Sequence, residues 1–204
     1  MENKIENKTE TKIKEIRLKE LRASEPTEPT EPTDDTKMIV EGYAIVFDEP
    51  TDLGYIEVIE RGALDNCDMR DVCLKYNHED DFLIMARTRN KSLQLEVDEH
   101  GLKIRAELID TSSNRDIYKS IQAGLLDKMS FAFIVNDASW ETVNGKDVRR
   151  IKGIEKLFDV SVVDVPAYDQ TEIYTRSKSV AEKEQKEYHK LKLEKEKLLL
   201  QLSL

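Results

Sequence analysis

Histidine, cysteine and glycine are scarce in this 204-residue chain, which contains three, two and seven of them. With so few histidines, Cys67 and Cys73 cannot be placed in a standard zinc-binding spacing, and we expect both to be reduced thiols. The seven glycines form neither a Gly-x-Gly-x-x-Gly motif nor a phosphate-binding P-loop. The sequence therefore predicts no metal and no nucleotide cofactor.

Long apolar segments and excess positive charge are also missing. No run approaches the roughly 18 apolar residues that a membrane span requires, and the N-terminus, Met-Glu-Asn-Lys-Ile-Glu, has no apolar signal region. The net charge of −10 and the pI near 5.0 argue against binding that depends on neutralising phosphates. We therefore expect a protein that uses neither a membrane nor nucleic acid as its partner and is not exported by a standard signal.

Composition divides the chain into three parts. Residues 1–37 form an extension that contains the repeat Glu-Pro-Thr at 25–33, and proline at every third position favours an extended spacer. Within this extension, "IKEIRLKEL" fits either a short helix or a strand. Residues 38–176 form a domain of short β-rich segments, and residues 177–204 form a charged, helix-prone tail. This tail is either a solvated helix or a segment that folds on a partner, which makes a homo-oligomer possible.

The central domain is predicted to be mainly β with a few helices, an α+β class built mostly from antiparallel strands. "SLQLEVDEHGLKIRAELI" predicts one hairpin, and "SWETVNGKDVRRI" predicts another that turns at Asn144-Gly145. "SSNRDIYKSIQAGLLD" predicts a helix, with Ser113 or Asn114 as its N-cap. A strand, "FDVSVVDV", closes the domain.

A serine in an otherwise apolar strand is the first candidate for chemistry. In "DKMSFAFIV", Met129, Phe131 and Phe133 lie on one face at period two, and Ser130 lies on the other. A buried hydroxyl costs roughly 1–3 kcal/mol unless it is hydrogen-bonded. Ser130 is therefore either a structural serine bonded to the backbone or a nucleophile that needs a histidine nearby.

Three histidines and several carboxylates are available as partners. His100 lies in a predicted turn and His189 lies in the charged tail. His78 follows the apolar strand Val72–Tyr76 and comes directly before the acidic run Glu79–Asp81. Asp159 lies within an apolar strand, where a carboxylate must find a partner, and Asp164 lies nearer the end of that strand. No Gly-x-Ser-x-Gly motif surrounds Ser130, which excludes an α/β-hydrolase at that site.

Several motifs in one order resemble the prohead protease family of tailed phages, whose fold is similar to that of herpesvirus assemblins. The resemblance covers residues 41–176 and rests on these segments: "EGYAIVFDEP", "EVIERGAL", "NHEDD", "MART", "DEHGL", "IQAGLLDKMSFAF" and "LFDVSVVDVPAYDQT". It implies an antiparallel β-barrel core with flexible extensions. The chain departs from the family at Met129, Ala132 and Ala86, where family members often have glycine.

The resemblance also implies roles for the candidate residues. His78 is the implied general base, Ser130 the nucleophile and Asp159 the third member of a catalytic triad. In assemblins the third member is a second histidine, which points to His100, although its turn position argues against it. Backbone N–H groups are expected to form the oxyanion hole, and the Arg149-Arg150 pair is a candidate to position the loop beside it.

The implied function is that of a serine endopeptidase of capsid maturation. Its implied partners are the major capsid protein, whose scaffolding segment it would cleave, and the protease itself. Its implied location is inside the procapsid, in the cytoplasm of the bacterial host. Two alternatives stay open from the residues: a non-enzymatic internal scaffold protein in which Ser130 is structural, and a metal-dependent hydrolase that uses the acidic loop around His78.

Overall fold

The computed structural model describes residues 15–20, 37–81, 83–164 and 172–202, with side chains for 37–81, 83–164 and 181–202. The predicted spacer at 25–33 lies outside this range. The elements, in chain order, are β1 (Glu15–Glu20), β2 (Met38–Val46), β3 (Thr51–Asp52), β4 (Ile56–Ile59), β5 (Cys73–Tyr76), β6 (Ala86–Arg87), β7 (Leu93–Val97), β8 (Gly101–Leu108), α1 (Ser112–Gln122), β9 (Lys128–Val143), β10 (Lys146–Val163) and α2 (Glu172–Leu202). The ambiguous N-terminal segment is thus a strand, β1.

The larger sheet has seven strands and is organised around the long β9–β10 hairpin. The hairpin turns at Asn144-Gly145, as predicted, and both residues have positive φ. β1 pairs with the outer edge of β9, and β4 and β5 pair with the outer edge of β10. Both of these last pairings are parallel. Turn chemistry constrains strand direction only between neighbours in the chain, so these long-range parallel pairings could not be predicted from hairpin signals.

A smaller, three-stranded antiparallel sheet has the order β2-β8-β7, and its buried side chains share one hydrophobic core with those of the larger sheet. The core lies between the two sheets, where Phe131 and Phe133 of β9 are completely buried with Leu102 and Ile104 of β8. Burying one such side chain stabilises the fold by about 1.5–3 kcal/mol. The opposite face of β9, which carries Ser130, is left for a different role.

Two local features determine where β8 and α1 begin. Gly101 begins β8 so close to β2 that an added Cβ would lie 1.9 Å from the Ile45 carbonyl oxygen, so only glycine fits there. α1 is confirmed, but its N-cap is Thr111, whose side chain accepts a hydrogen bond from the Asn114 N–H. The prediction of Ser113 or Asn114 as the cap was wrong by two or three residues, because several Ser, Thr and Asn residues in a row can all serve as caps.

The prediction of a mainly β fold with a few helices is confirmed, but the expected antiparallel barrel is corrected. In the part of the chain that the structure describes, the larger sheet is mixed, with two parallel pairings, the smaller sheet is antiparallel, and neither closes on itself. β1 and β3 lie at the ends of the main strand order, and no pairing joins them. Neither of the two described helices is long and apolar enough to cross a membrane.

A buried arginine attaches α2 to the larger sheet. The Arg149 side chain is completely buried and donates to Glu57 of β4 at 3.1 Å and to Glu184 of α2 at 3.0 Å. Trp140 of β9 also donates to Glu184, at 3.1 Å. The Arg149-Arg150 pair was a candidate to position the loop of the oxyanion hole; instead it lies near the start of β10, where Arg149 bonds to β4 and stabilises the helix.

We expect Arg149→Met to lower the free energy of unfolding by about 3–5 kcal/mol, because it leaves the buried Glu57 carboxylate without its cation. The matched control is Arg150→Met, whose partly exposed pairing with Glu141 should be worth at most about 1 kcal/mol. Urea denaturation followed by far-UV circular dichroism measures both. Equal losses in the two variants would contradict this account of the buried network.

Candidate active site

Ser130 and Asp159 share one face of the larger sheet. In the β9–β10 register, Ser130 lies opposite Ser161 and Ala132 lies opposite Asp159. Residues two apart on a strand point to the same side, so this face presents Ser130, Asp159 and Ser161 together. All three are buried, with at most 1% of each residue exposed. The sheet therefore gathers three polar side chains on the face opposite Phe131 and Phe133.

His78 reaches this face from a strained turn at the end of β5. Asn77 and His78 both adopt the left-handed conformation, with φ of 50° and 57°. This region is disfavoured for residues with a side chain, although asparagine and histidine tolerate it better than most, and such strain is often found at functional sites. The Asn77 N–H donates to the Val162 carbonyl of β10 at 2.9 Å, and Asn77 Oδ1 accepts from the Asp164 N–H. The turn is thus attached directly to the strand that carries Asp159.

The structure brings His78, Ser130 and Asp159 into one hydrogen-bonded chain. His78 Nδ1 lies 2.5 Å from Asp159 Oδ1, and His78 Nε2 lies 2.6 Å from Ser130 Oγ. A carboxylate only accepts hydrogen bonds, so Nδ1 carries the hydrogen that points to Asp159. In the neutral ring Nε2 is then unprotonated and accepts from the Ser130 hydroxyl. This is the arrangement in which a histidine can take the proton of a serine nucleophile.

Ser161 also contacts this chain, and it was missed by the sequence analysis. Its Oγ lies 3.0 Å from Asp159 Oδ1 and 3.1 Å from His78 Nδ1. Period two could have identified it, because Ser161 follows Asp159 by two residues in "DVSVV" and must share its face.

Lys75 brings a positive charge to the same face. It lies opposite Ser161 in the parallel β5–β10 register, and its Nζ is bonded to Asp80 in the acidic run that follows His78. Burial opposes the charge of this mostly buried lysine, but the bond to Asp80 and the charge of Asp159 leave the pKa of Lys75 above its ordinary value. The Lys75–Asp80 pair therefore links β5 to the loop that continues from His78.

The Arg-Thr pair of the family motif holds the other end of β5. Arg87 of β6 donates two hydrogen bonds to the Asp71 carboxylate, at 2.5 and 2.7 Å, and this contact lowers the pKa of Asp71. Thr88 Oγ1 accepts from the Val72 N–H at 2.9 Å. These contacts fix the strand from which the His78 turn projects, so Arg87 and Thr88 support the site from a distance.

The other candidates lie elsewhere or have other partners. His100 is exposed in the β7–β8 turn, where its ring contacts Tyr43, and His189, on α2, is bonded to Asp147 of β10. Asp164 accepts from the Tyr76 hydroxyl at 3.0 Å beside the His78 turn. Cys67 and Cys73 have free thiols, and burial raises the pKa of Cys67 to about 11. Among the described residues, no group of three or more His, Cys, Asp or Glu side chains is placed to hold a metal ion.

The chain is similar to one family of known proteins and to a solved structure. A family model described as caudovirus prohead serine protease matches residues 23–186. No curated protein matches the chain significantly. A solved structure, described as that of the bacteriophage T4 capsid assembly protease gp21, aligns with 76% of this chain and 99% of its own, at 13% identity and a TM-score of 0.47.

The contact between His78 and Asp159 can be tested by nuclear magnetic resonance. With ¹⁵N-labelled histidine, we expect the hydrogen of His78 to be on Nδ1 and its proton resonance to lie at low field, because the 2.5 Å bond ends on a carboxylate. Asp159→Asn should move this resonance to higher field or abolish it by exchange. The resonances of His189 are the internal control and should not change; an unchanged His78 signal would contradict the contact.

Proposed function

Because the chain belongs to the caudovirus prohead serine protease family, we propose that it is an active serine endopeptidase of phage capsid maturation. The observation that carries the proposal is the hydrogen-bonded chain from Ser130 Oγ through the His78 ring to Asp159, with contacts of 2.6 and 2.5 Å. Its substrates are the scaffolding segment of the major capsid protein and the protease itself. The reaction takes place inside the procapsid, in the cytoplasm of the bacterial host.

In the proposed mechanism, His78 acts first as a base and then as an acid. Its Nε2 takes the proton of the Ser130 hydroxyl as Oγ attacks the scissile carbonyl carbon, and then gives this proton to the leaving amine. Water hydrolyses the resulting acyl-enzyme by the same two proton transfers in sequence. Asp159 keeps the hydrogen on Nδ1 and stabilises the imidazolium ion. Backbone N–H groups stabilise the oxyanion, by about 2.7–4 kcal/mol per donor.

The burial of Ser130 adds a requirement to this mechanism. Ser130 has no exposed surface, and the His78 side chain is only 12% exposed. Attack requires the carbonyl carbon within about 3–3.5 Å of Oγ, so the groups that cover Ser130 must move apart before a peptide can react. Of the three hydrogen-bonded residues, His78 has the most exposed side chain, and it marks the side from which a substrate approaches.

Co-expression with the major capsid protein of the same phage is the direct test. We expect wild type to shorten the capsid protein, as measured by intact mass, and Ser130→Ala to abolish the shortening. Asp159→Asn should reduce the rate by about 10⁴-fold, as in other triads that lose the orienting carboxylate. Ser139→Ala, a substitution in the same strand away from the site, is the matched control. Unchanged trimming by a folded Ser130→Ala variant would favour the scaffold function instead.

Self-cleavage is tested separately by the mass of the protease itself. We expect wild type to lose terminal residues on incubation, and we expect Ser130→Ala to keep the full 204-residue mass. β1 is a strand of the larger sheet and α2 is bonded to that sheet through Glu184. A cut that removes either element should therefore change the circular dichroism, whereas a cut beyond Lys192 should leave the signal of the sheets unchanged. If wild type trims the capsid protein but retains both of its own termini, the self-cleavage part of the proposal is wrong and the rest stands.

A further inference from the structure

We propose that Ser161 is a positioning residue of this site, whose hydroxyl holds the Asp159 carboxylate and the His78 ring in the geometry that activates Ser130. This inference rests on the proposed function, because it assigns Ser161 a role in the same reaction. Ser161 does not contact Ser130 Oγ or a substrate in this role. It acts through Asp159 and His78, and its effect should therefore appear in the rate of the chemical step rather than in binding.

The hydrogen-bond directions follow from the chemistry of the three groups. The Asp159 carboxylate only accepts, so at 3.0 Å the Ser161 hydroxyl donates to Oδ1. Having given its hydrogen to Asp159, Ser161 Oγ turns its lone pairs toward His78 Nδ1, 3.1 Å away. The Nδ1 hydrogen is therefore shared between Asp159 Oδ1 and Ser161 Oγ, and a ring rotation breaks both contacts at once.

The backbone around Ser161 makes this hydroxyl a rigid support. Ser161 is completely buried, and it is paired on both sides: with Ser130 on β9 and with Lys75 on β5. A residue held by two neighbouring strands cannot shift along the sheet without moving the nucleophile. The hydroxyl therefore holds Asp159 at a fixed distance from the strand that carries Ser130.

A donor to Asp159 also has an electrostatic effect. A hydrogen bond from a hydroxyl favours the ionised carboxylate over the protonated acid. This matters in a buried site, where desolvation disfavours the charge that stabilises the imidazolium ion. Without the Ser161 hydroxyl, Asp159 loses one donor and His78 loses one of the two groups that accept its Nδ1 hydrogen.

The test compares variants that remove the hydroxyl with one that keeps it. Ser161→Ala removes the hydroxyl and Ser161→Cys replaces it by a thiol, which is a weak donor, whereas Ser161→Thr retains it. Ser139→Ala, which removes a hydroxyl from the same hairpin, is the matched control. An alkyl fluorophosphonate is the probe: Ser130 Oγ forms a bond to phosphorus, fluoride leaves and His78 takes the hydroxyl proton. Intact mass measures the maximal rate of this reaction and the probe concentration at half-saturation.

We expect Ser161→Ala and Ser161→Cys to lower the maximal rate by about 10- to 100-fold, as for loss of a hydrogen bond to a charged group, with half-saturation unchanged. Ser161→Thr should restore the rate to within a few-fold of wild type. The low-field His78 Nδ1 resonance should move in the Ala and Cys variants and stay in the Thr variant. Rates and resonances that match wild type in the Ala and Cys variants would overturn the proposal.

The two readouts separate this inference from the proposed function. If wild type itself fails to react with the fluorophosphonate, the result counts against the protease activity, and the resonance alone decides the role of Ser161. A resonance that moves in the Ala and Cys variants then supports the positioning contact, and one that stays overturns it. If the alanine variant does not fold, the Cys and Thr pair, which fill the space of the side chain, makes the same comparison.

Discussion

The pairing of β10 with β9 on one side and with β5 on the other is the constraint on which the site depends. The antiparallel register sets Ser161 opposite Ser130, and the parallel register sets Asp159 opposite Cys73, five residues before His78. One strand thus fixes the distance between Ser130 and the Asp159 carboxylate, and also the position from which the His78 turn begins. A slip of one residue in either register would turn Asp159 toward the apolar core.

The two faces of the larger sheet have different roles: one packs the apolar core and the other carries the polar side chains of the site. One face of β9 packs Phe131 and Phe133 against the smaller sheet, and the other carries Ser130 among polar groups. Buried polar atoms are costly unless they are paired, and in the described part of the chain none of the buried side-chain N or O atoms lacks a hydrogen-bond partner. The groups that the proposed chemistry needs therefore satisfy one another's hydrogen bonds, so the site is also a stable polar network. The strain of forming the site lies in the backbone of Asn77 and His78, which stay in the disfavoured left-handed conformation.

Local patterns in the sequence predict much of this arrangement, and long-range pairings account for the rest. Alternation in "DKMSFAFIV" puts Ser130 on the face away from the phenylalanines, and Asn144-Gly145 predicts the turn of the central hairpin; the structure has both. The contact of His78 with Asp159 joins residues 81 positions apart through a parallel strand pair and a left-handed turn, neither of which has a local signal in one sequence. Only the resemblance to a family suggested that these residues meet. Ser161 differs from them, because its place beside Asp159 follows from period two alone.

The C-terminal helix α2 is bonded to the β9–β10 hairpin along part of its length. The family match ends at residue 186, just beyond Glu184, which is bonded to the buried Arg149. Side-chain contacts with the hairpin continue to Lys192, which donates to Thr142. Past this point come leucines that are each more than half exposed: Leu193, Leu198, Leu199, Leu200 and Leu202. A segment as short as 193–202 is marginal as an isolated helix in water, because the first turn is costly to form, whereas adding residues to an existing turn is not. The docked half of α2 supplies that turn, so the buried charge of Arg149 stabilises helical structure well beyond the residues that it contacts.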